Sequence, residues 1–397
     1  MTAVSPGTRP GPQADDRGAP VVTELRLSAF RSHRGAVFPL GPVTLFTGAS
    51  GTGKSSVLEV YEALARLGGG AELGAVFRDP GACVPERAGP DAEGRRGFRI
   101  GCTVEGPAGP VRLDLAVQAE PELRVVGERL TCDGQTLLTT ALRDPGRSTV
   151  QAAWHTAGSA PVTRAPLPDD VLGTALLPLR VAGKTAGQVK VLAAAEQVIL
   201  ALRSVFACDP RPTRMREPVA LGDARLRRGC DNLAEVLWRT HHQCARRHAR
   251  LGAMARAGCA GPVEALTVEK LADGRVRALL GRGGAWATPR PGGAWATPVG
   301  RLGDGELRYL ALALVLLTGP GVLAMDTVAE VPDAMRALTV LADDLDRSLD
   351  GRQARELVAL AAAVCAERHI RLVGTVAETS ASYARGVDGV TVVDLGP

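Results

Sequence analysis

Aromatic side chains are scarce in this chain of 397 residues, where Phe, Trp and Tyr together make up 3%. A surface that grips single-stranded nucleic acid by stacking bases on rings has little to be built from. The eight cysteines (83, 102, 132, 208, 230, 244, 259 and 365) contain no C-x-x-C pair. A zinc site is therefore not expected, and thiols scattered in this way read as reduced, buried residues of a cytoplasmic protein. No apolar run is long enough to span a membrane, because the longest, 309–325, is broken by Thr318-Gly319-Pro320-Gly321. Secretory-leader character is missing too: residues 1–20 are polar and rich in Pro and Gly, the pattern of a disordered tail. Sustained heptads are absent, which excludes a long coiled coil. Neither sign of charge dominates, with 47 Lys and Arg against 42 Asp and Glu, a net charge of +5.

What is present is globular. Hydrophobic residues are 45% and charged residues 22%, and the length suits one large domain or two ordinary ones. The 47 glycines and 27 prolines predict many loops. Alternation predicts strands at 21–27, 37–38 and 42–47, the last apolar on both faces and so central and parallel. A helix over 55–67 follows, with Val57, Val60, Tyr61, Leu64 and Leu67 on one face. Residues 70–97 read as loop, 98–138 as short strands and 144–170 as irregular. Helices are expected at 189–206 and 233–255, the latter capped by Asn232. Strands are expected over 265–280. A seven-residue motif, Gly283 to Pro289, repeats at Gly292 to Pro298 with period nine and reads as a duplicated loop. The last hundred residues predict a helix over 306–317, a buried strand over 322–325, helical segments over 334–367, and strands at 371–375 and 389–395. Strands alternating with helices at both ends, around a mixed middle, argue an α/β core interrupted by an insertion.

The most specific motif is Gly48-Ala49-Ser50-Gly51-Thr52-Gly53-Lys54-Ser55, followed by Ser56. It fits G-x4-G-K-[ST], comes directly after an apolar strand and opens an amphipathic helix. Glycines let the backbone wrap so that its N–H groups meet phosphate oxygens at the positive end of the helix. Lys54 would neutralise the β- and γ-phosphates of ATP, and the Ser55 hydroxyl would take a place on Mg²⁺. A second metal-holding acid is sought at the end of a neighbouring apolar strand. Val322-Leu323-Ala324-Met325-Asp326 offers one, which assigns Asp326 to the metal. The glycine-bearing turn Leu302-Gly303-Asp304-Gly305-Glu306 precedes it and opens a helix, a second natural phosphate contact.

These residues carry a resemblance. Leu302 to Glu306 resembles the signature motif of the ABC-ATPase superclass. Leu25-Arg26-Leu27-Ser28-Ala29-Phe30-Arg31-Ser32 resembles the first strand and basic turn of RecF/SMC-like and OLD-like AAA family ATPases, and the segments at 209–216 and 231–234 are similar to single-chain ATPases of that group. The likeness runs over about 21–397. It implies a P-loop NTPase fold, an ABC/SMC-type ATPase head with a mixed β-rich and helical insertion, standing alone without the nuclease domain of full OLD proteins. It also implies a head-to-tail homodimer in which Gly303, Asp304 and Gly305 of one subunit close over nucleotide held at 48–56 of the other. On that pattern residues 1–20 are the tail, 21–140 an N-terminal lobe, 141–260 the insertion and 261–397 the C-terminal lobe.

The sequence also departs from the family pattern. A glutamate usually follows the metal-holding aspartate and polarises the attacking water, whereas Thr327 follows Asp326, leaving Glu330 as the stand-in. The strand at 371–375 lacks the family's switch histidine. Ser348-Leu349-Asp350 resembles a D-loop but lies farther beyond Asp326 than usual. These departures leave two functions open: a slow ATP-hydrolysing switch acting on DNA or an effector protein, and a non-hydrolysing nucleotide-binding scaffold. The signature turn argues against a third, a small-molecule kinase. Residues 211–250 hold ten arginines against Glu217, Asp223, Asp231 and Glu235. This stretch reads either as a phosphate-tracking face for DNA or as solvated surface. Its histidines, 241, 242 and 248, read as surface residues ahead of metal ligands.

Overall fold

The computed structural model describes residues 18–157, 161–223, 225–283, 296–319, 322–325, 337–367 and 369–396. Strands β1 (Val21–Phe30) and β2 (His33–Pro39) form a hairpin, and β3 (Val43–Thr47) leads into α1 (Lys54–Gly68) and the short α2 (Leu73–Val76). An antiparallel run follows: β4 (Arg96–Glu105), β5 (Val111–Glu120), β6 (Arg124–Cys132), β7 (Gln135–Ala141), β8 (Thr149–His155) and β9 (Val162–Pro168). Helices α3 (Gly173–Arg180) and α4 (Ala186–Arg203) lead to β10 (Val205–Ala207), α5 (Pro212–Met215), α6 (Leu233–Gln243) and α7 (Ala245–Gly258). The rest comprises β11 (Val263–Lys270), β12 (Val276–Arg282), β13 (Ala296–Pro298), α8 (Asp304–Leu317), β14 (Leu338–Ala342), α9 (Gly351–Cys365), β15 (Ile370–Thr375), α10 (Glu378–Ala384) and β16 (Val390–Asp394).

Among the described residues these strands make three sheets. An antiparallel sheet runs β2-β1-β4-β5-β6-β7-β8-β9, a parallel one runs β10-β14-β15-β3-β16, and β11-β12-β13 form a small third. The parallel sheet fixes the site, because the carboxyl ends of its strands share one edge, where open α/β sheets take their ligands. All five residues of β3 are buried, as a two-faced central strand requires. Helix α1 packs its apolar stripe between the sheets, with Val57, Val60, Tyr61, Leu64 and Leu67 each no more than 1% exposed. Burial pushes the Tyr61 phenol up to about 12, and its hydroxyl reaches Thr339 Oγ1 at 3.4 Å. Arg371 on β15 ties the sheets together through the carbonyls of Val22 at 2.9 Å and Gly41 at 2.8 Å.

Several expectations are corrected. Residues 149–155 and 162–168 are strands of the antiparallel sheet, not irregular chain. Alternate burial along β8 marks the pattern, and Pro166 and Pro168 are tolerated because β9 lies at the sheet edge. The helix expected over 233–255 is two helices broken at Cys244, whose backbone is extended (φ −150, ψ 82). Asn232 does not cap it by its side chain. Its amide instead accepts from Arg227 N and donates to Arg225 O and Glu235 Oε2. Of the duplicated loop only 283 and 296–298 are described, and 296–298 pair with β12.

The largest correction lies near the site. Residues 322–325 make no strand of the parallel sheet and pair with Leu226 in an isolated bridge. The segment expected as helix from 334 contains β14, which takes the interior place between β10 and β15, and among the described residues helix begins only at Gly351. Leu338-Thr339-Val340-Leu341-Ala342 is buried at every position, the signature of a two-faced strand. The five-residue run is too short for a helix.

Candidate functional site

The loop from Gly48 to Gly53 leaves β3 and opens α1 at Lys54. Three of its glycines hold positive φ, Gly48 at 142°, Gly51 at 89° and Gly53 at 92°, conformations that side chains disfavour. At Gly53 a Cβ would also collide with His33 Nε2 and Ser32 Oγ. The β1–β2 turn therefore packs directly against the loop, and His33 Nε2 lies 3.1 Å from Gly53 O. No side chain caps α1 and its first turn holds no acid. The N–H groups there lack intrahelical partners and carry the positive helix end. Lys54 Nζ folds back onto Gly48 O at 2.8 Å and Ala49 O at 2.9 Å, placing an ammonium over the same concavity. Thr52 Oγ1 closes the turn onto Ala49 O at 3.0 Å. The arrangement is built to hold an anion.

Ser55 Oγ, one residue into the helix, donates to Asp343 Oδ1 at 3.1 Å. Asp343 directly follows β14, so its carboxylate stands at the carboxyl edge of the parallel sheet. The same oxygen accepts from Thr375 Oγ1 at 2.6 Å, and Thr375, fully buried at the end of β15, also accepts from Asp344 N at 2.8 Å. One threonine on the intervening strand thus fixes both acids. Asp344 is exposed and sits at φ 47°, a strained conformation that Asp tolerates better than most residues. Arg308 on α8 donates to Asp344 O at 3.1 Å and Pro210 O at 2.8 Å, and burial lowers its guanidinium from the usual value. Behind the loop, Thr47 Oγ1 donates to Glu378 Oε2 at 3.1 Å. The hydrogen-bonded Arg385 holds that carboxyl below the usual glutamate range.

The turn at Gly303 opens α8. Glu306 Oε2 accepts from Gly303 N at 2.9 Å, its other oxygen accepts from Ala260 N at 2.8 Å, and Asp304 pairs with Arg216 at 2.5 Å. A Cβ on Gly305 would collide with Ser348 O, so this turn is pressed onto the 344–350 loop that follows the two acids. No hydrogen bond or ion pair joins Gly303, Asp304 or Gly305 to residues 48–56 among the described residues.

The structure thus brings Lys54 and Ser55 together with Asp343, an acid the sequence reading missed. Asp326, Thr327 and Glu330 lie outside the described residues. The run leading to Asp326 is absent from the sheet edge that Asp343 occupies. The signal was present: five apolar or β-branched residues ending in two aspartates, with Ser348-Leu349-Asp350 close behind. Measured from Asp343, that last segment follows at once. Thr375 and His33 were missed because each gains meaning only from a neighbour distant in sequence.

The arginines of 211–250 are largely engaged within the chain. Arg211 pairs with Asp209 at 3.4 Å, Arg227 with Asp231 at 2.8 Å and Arg228 with Glu62, while Arg247 donates to Leu317 O at 3.1 Å. His248 Nε2 donates to Leu266 O at 2.7 Å, and burial lowers its pKa. Among the described residues no three His, Cys, Asp or Glu side chains are grouped to hold a metal. No described helix is long and apolar enough to cross a membrane.

No family model matches the chain, and no curated protein matches it. Solved structures similar to it are SMC head domains, each 12% identical and aligned over 92% of both chains. They include an Smc head bound to the C-terminal winged-helix domain of ScpA (TM-score 0.49) and the SMC head from Thermotoga maritima (0.42). A third is an Smc head with an extended coiled coil bound to the C-terminal domain of ScpA, derived from Pyrococcus furiosus (0.45). Likeness this loose bears on no residue and no activity.

Proposed function

We propose that this chain is an ATP-binding switch of the RecF/SMC-like kind that hydrolyses ATP slowly and works through nucleotide-dependent pairing of two copies. The observation that carries it is the 3.1 Å contact of Ser55 Oγ with Asp343 Oδ1 beside a lysine-bearing, uncapped helix start. Two hard oxygen donors at one exposed point suit Mg²⁺, which takes few protein ligands and keeps several waters. Ser55 and Asp343 would hold the ion, which would supply charge neutralisation at the β- and γ-phosphates. Lys54 and the N–H groups of the loop grip the phosphates, and Thr375 keeps the Asp343 carboxylate aimed.

Asp344 stands where the resemblance calls for the glutamate that polarises water. It is shorter by one methylene, and its side chain makes no hydrogen bond among the described residues. A base that reaches less far fits slow turnover, since poor water positioning lowers rate while sparing affinity. The resemblance implies the dimer, with the Gly303 turn covering the partner's nucleotide and DNA or an effector protein as the object of the switch.

ATP titration with and without Mg²⁺ tests the site. Asp343→Asn and Ser55→Ala should each abolish most of the Mg²⁺-dependent gain in affinity while leaving Mg²⁺-free binding within a few-fold. If both variants keep the full Mg²⁺ effect, the assignment of Asp343 is wrong.

A further inference from the structure

The open face of the antiparallel sheet carries a second basic region, away from 211–250. Cross-strand pairing sets Ala29, Arg99, Ala116 and Gly127 in one row over β1, β4, β5 and β6. The adjacent row on that face places Asp114 opposite Arg129. Two neighbouring depressions share Arg99 and Ala116; one reaches Arg129 and the other Arg143, so these arginines border one continuous shallow groove. Arg99, Arg129 and Arg143 are all exposed, and among the described residues none has a side-chain hydrogen bond or ion pair. That contrasts with Arg112, paired to Asp114 at 2.7 Å, and Arg96, paired to Glu120 at 3.2 Å. The carboxylates of Asp114 and Glu120 are therefore already matched, and the guanidinium groups of Arg99, Arg129 and Arg143 are left over.

We infer that this groove docks the phosphate backbone of duplex DNA. Arg99 and Arg129 stand two strands and two residues apart, about 10 Å across the sheet and about 7 Å along it. Their floor of Ala29, Ala116 and Gly127 lets a broad rod approach the sheet closely. Planar guanidinium groups suit phosphate oxygens, and phosphate contacts need no sequence-reading side chains. A protein partner would call for buried aromatic or apolar anchors, and the row supplies only alanine and glycine. Single strands are disfavoured for want of rings on which bases stack.

Binding is measured on the full chain without nucleotide, using a duplex of random sequence across a salt series, so the outcome does not depend on the ATP site. The affinity of the parent should fall steeply with salt. Joint replacement of Arg99, Arg129 and Arg143 by Ala should flatten the log–log slope by about 2–3, at roughly 0.9 per lost phosphate contact. The corresponding triple Lys variant should restore most of the slope. Arg246→Ala with Arg250→Ala, on the exposed side of α7, should leave the slope nearly unchanged. No duplex binding at low salt, or an unchanged slope in the triple Ala variant, overturns the proposal. So does equal, arginine-dependent binding to polyglutamate or to vesicles containing phosphatidylserine, which would make the face a general anion surface. Lys54→Ala, carried in parallel, should bind duplex like the parent. That keeps failure of the ATP-site assignment distinguishable from failure of this one.

Discussion

Helices α1 and α8 both begin at a glycine, yet their N-termini are prepared in opposite ways. At α1 no side chain caps the end, the first turn has no acid, and a lysine lies over the loop. At α8 the first turn holds Asp304 and Glu306, and Glu306 already occupies the N–H of Gly303. Both ends carry the same partial positive charge. One leaves it open for an arriving anion; the other covers it with its own carboxylates. The comparison separates two helix starts that look alike as glycine motifs: on the proposed reading, α1 grips phosphate by itself, whereas α8 adds to an anion held elsewhere.

The largest effect should come from removing what α1 has and α8 lacks. Lys54→Ala deletes a charged donor to phosphate and should lower ATP affinity by about 2–4 kcal/mol. Isothermal titration would read this as a loss of about 30-fold to 1,000-fold. Thermal stability should barely move, since the Lys54 contact to Ala49 O is exposed and that to Gly48 O only partly buried. Unchanged affinity would remove α1 from the anion-binding role.

The glycines of α8 sharpen the contrast next, because each is there for a different reason. Gly305→Ala forces a methyl against Ser348 O and should destabilise the fold by about 1–3 kcal/mol, the usual range for overpacking. Gly303 has φ −64° and a Cβ there would meet only Glu306 Oε2, at an ordinary 3.7 Å, so Gly303→Ala should stay within about 0.5 kcal/mol. Urea midpoints distinguish the two. Similar midpoints for both variants would mean that the turn is not seated on the 344–350 loop. A bulky residue meant to block pairing of two copies therefore belongs at Gly303, where the monomer tolerates it.

Thr375 reports on the sheet edge that α1 faces. Thr375→Val keeps the shape and removes two partly buried hydrogen bonds, to the Asp343 carboxylate and from Asp344 N. A stability loss of about 1–3 kcal/mol is expected, with weaker Mg²⁺-dependent ATP binding. Thr375→Ser should recover most of both. If Ser rescues stability without rescuing the Mg²⁺ effect, Thr375 is structural only.

The same edge shows what the sequence could and could not reveal. The loop at 48–53 was legible because its residues are contiguous and its strand and helix flank it. Residues 54–68, 304–317 and 370–375 formed where periodicity put them. Asp343 did not stand out because two apolar runs end in aspartate, and a run of four or five residues does not say which sheet position it fills. What separates them is tertiary. Leu338–Ala342 is buried on both faces between β10 and β15, whereas 322–325 pairs with Leu226 in an isolated bridge. Strands β8 and β9 were obscured by alanine and proline, residues with little β preference of their own. Their pairing across the antiparallel sheet supplies what their composition does not.

The smallest expected effect tests whether α8's acids matter to what its N-terminus meets. Asp304 is half-exposed and pairs with Arg216, which would still hold Gly300 O and Leu302 O at 2.7 Å after the change. Asp304→Asn removes a carboxylate from the first turn of a helix, which should lower stability by about 0.3–1 kcal/mol. If this turn covers the partner's nucleotide, the same change removes a negative charge facing phosphate. ATP-induced association, read by sedimentation at low salt, should then tighten by about two- to five-fold, the equivalent of about 0.4–1 kcal/mol, and the gain should shrink as salt screens it. The two readouts move in opposite directions, which simple local unfolding of the turn would not produce. Weaker association alongside lower stability would mean that Asp304 serves the turn alone, and that α8 meets no phosphate.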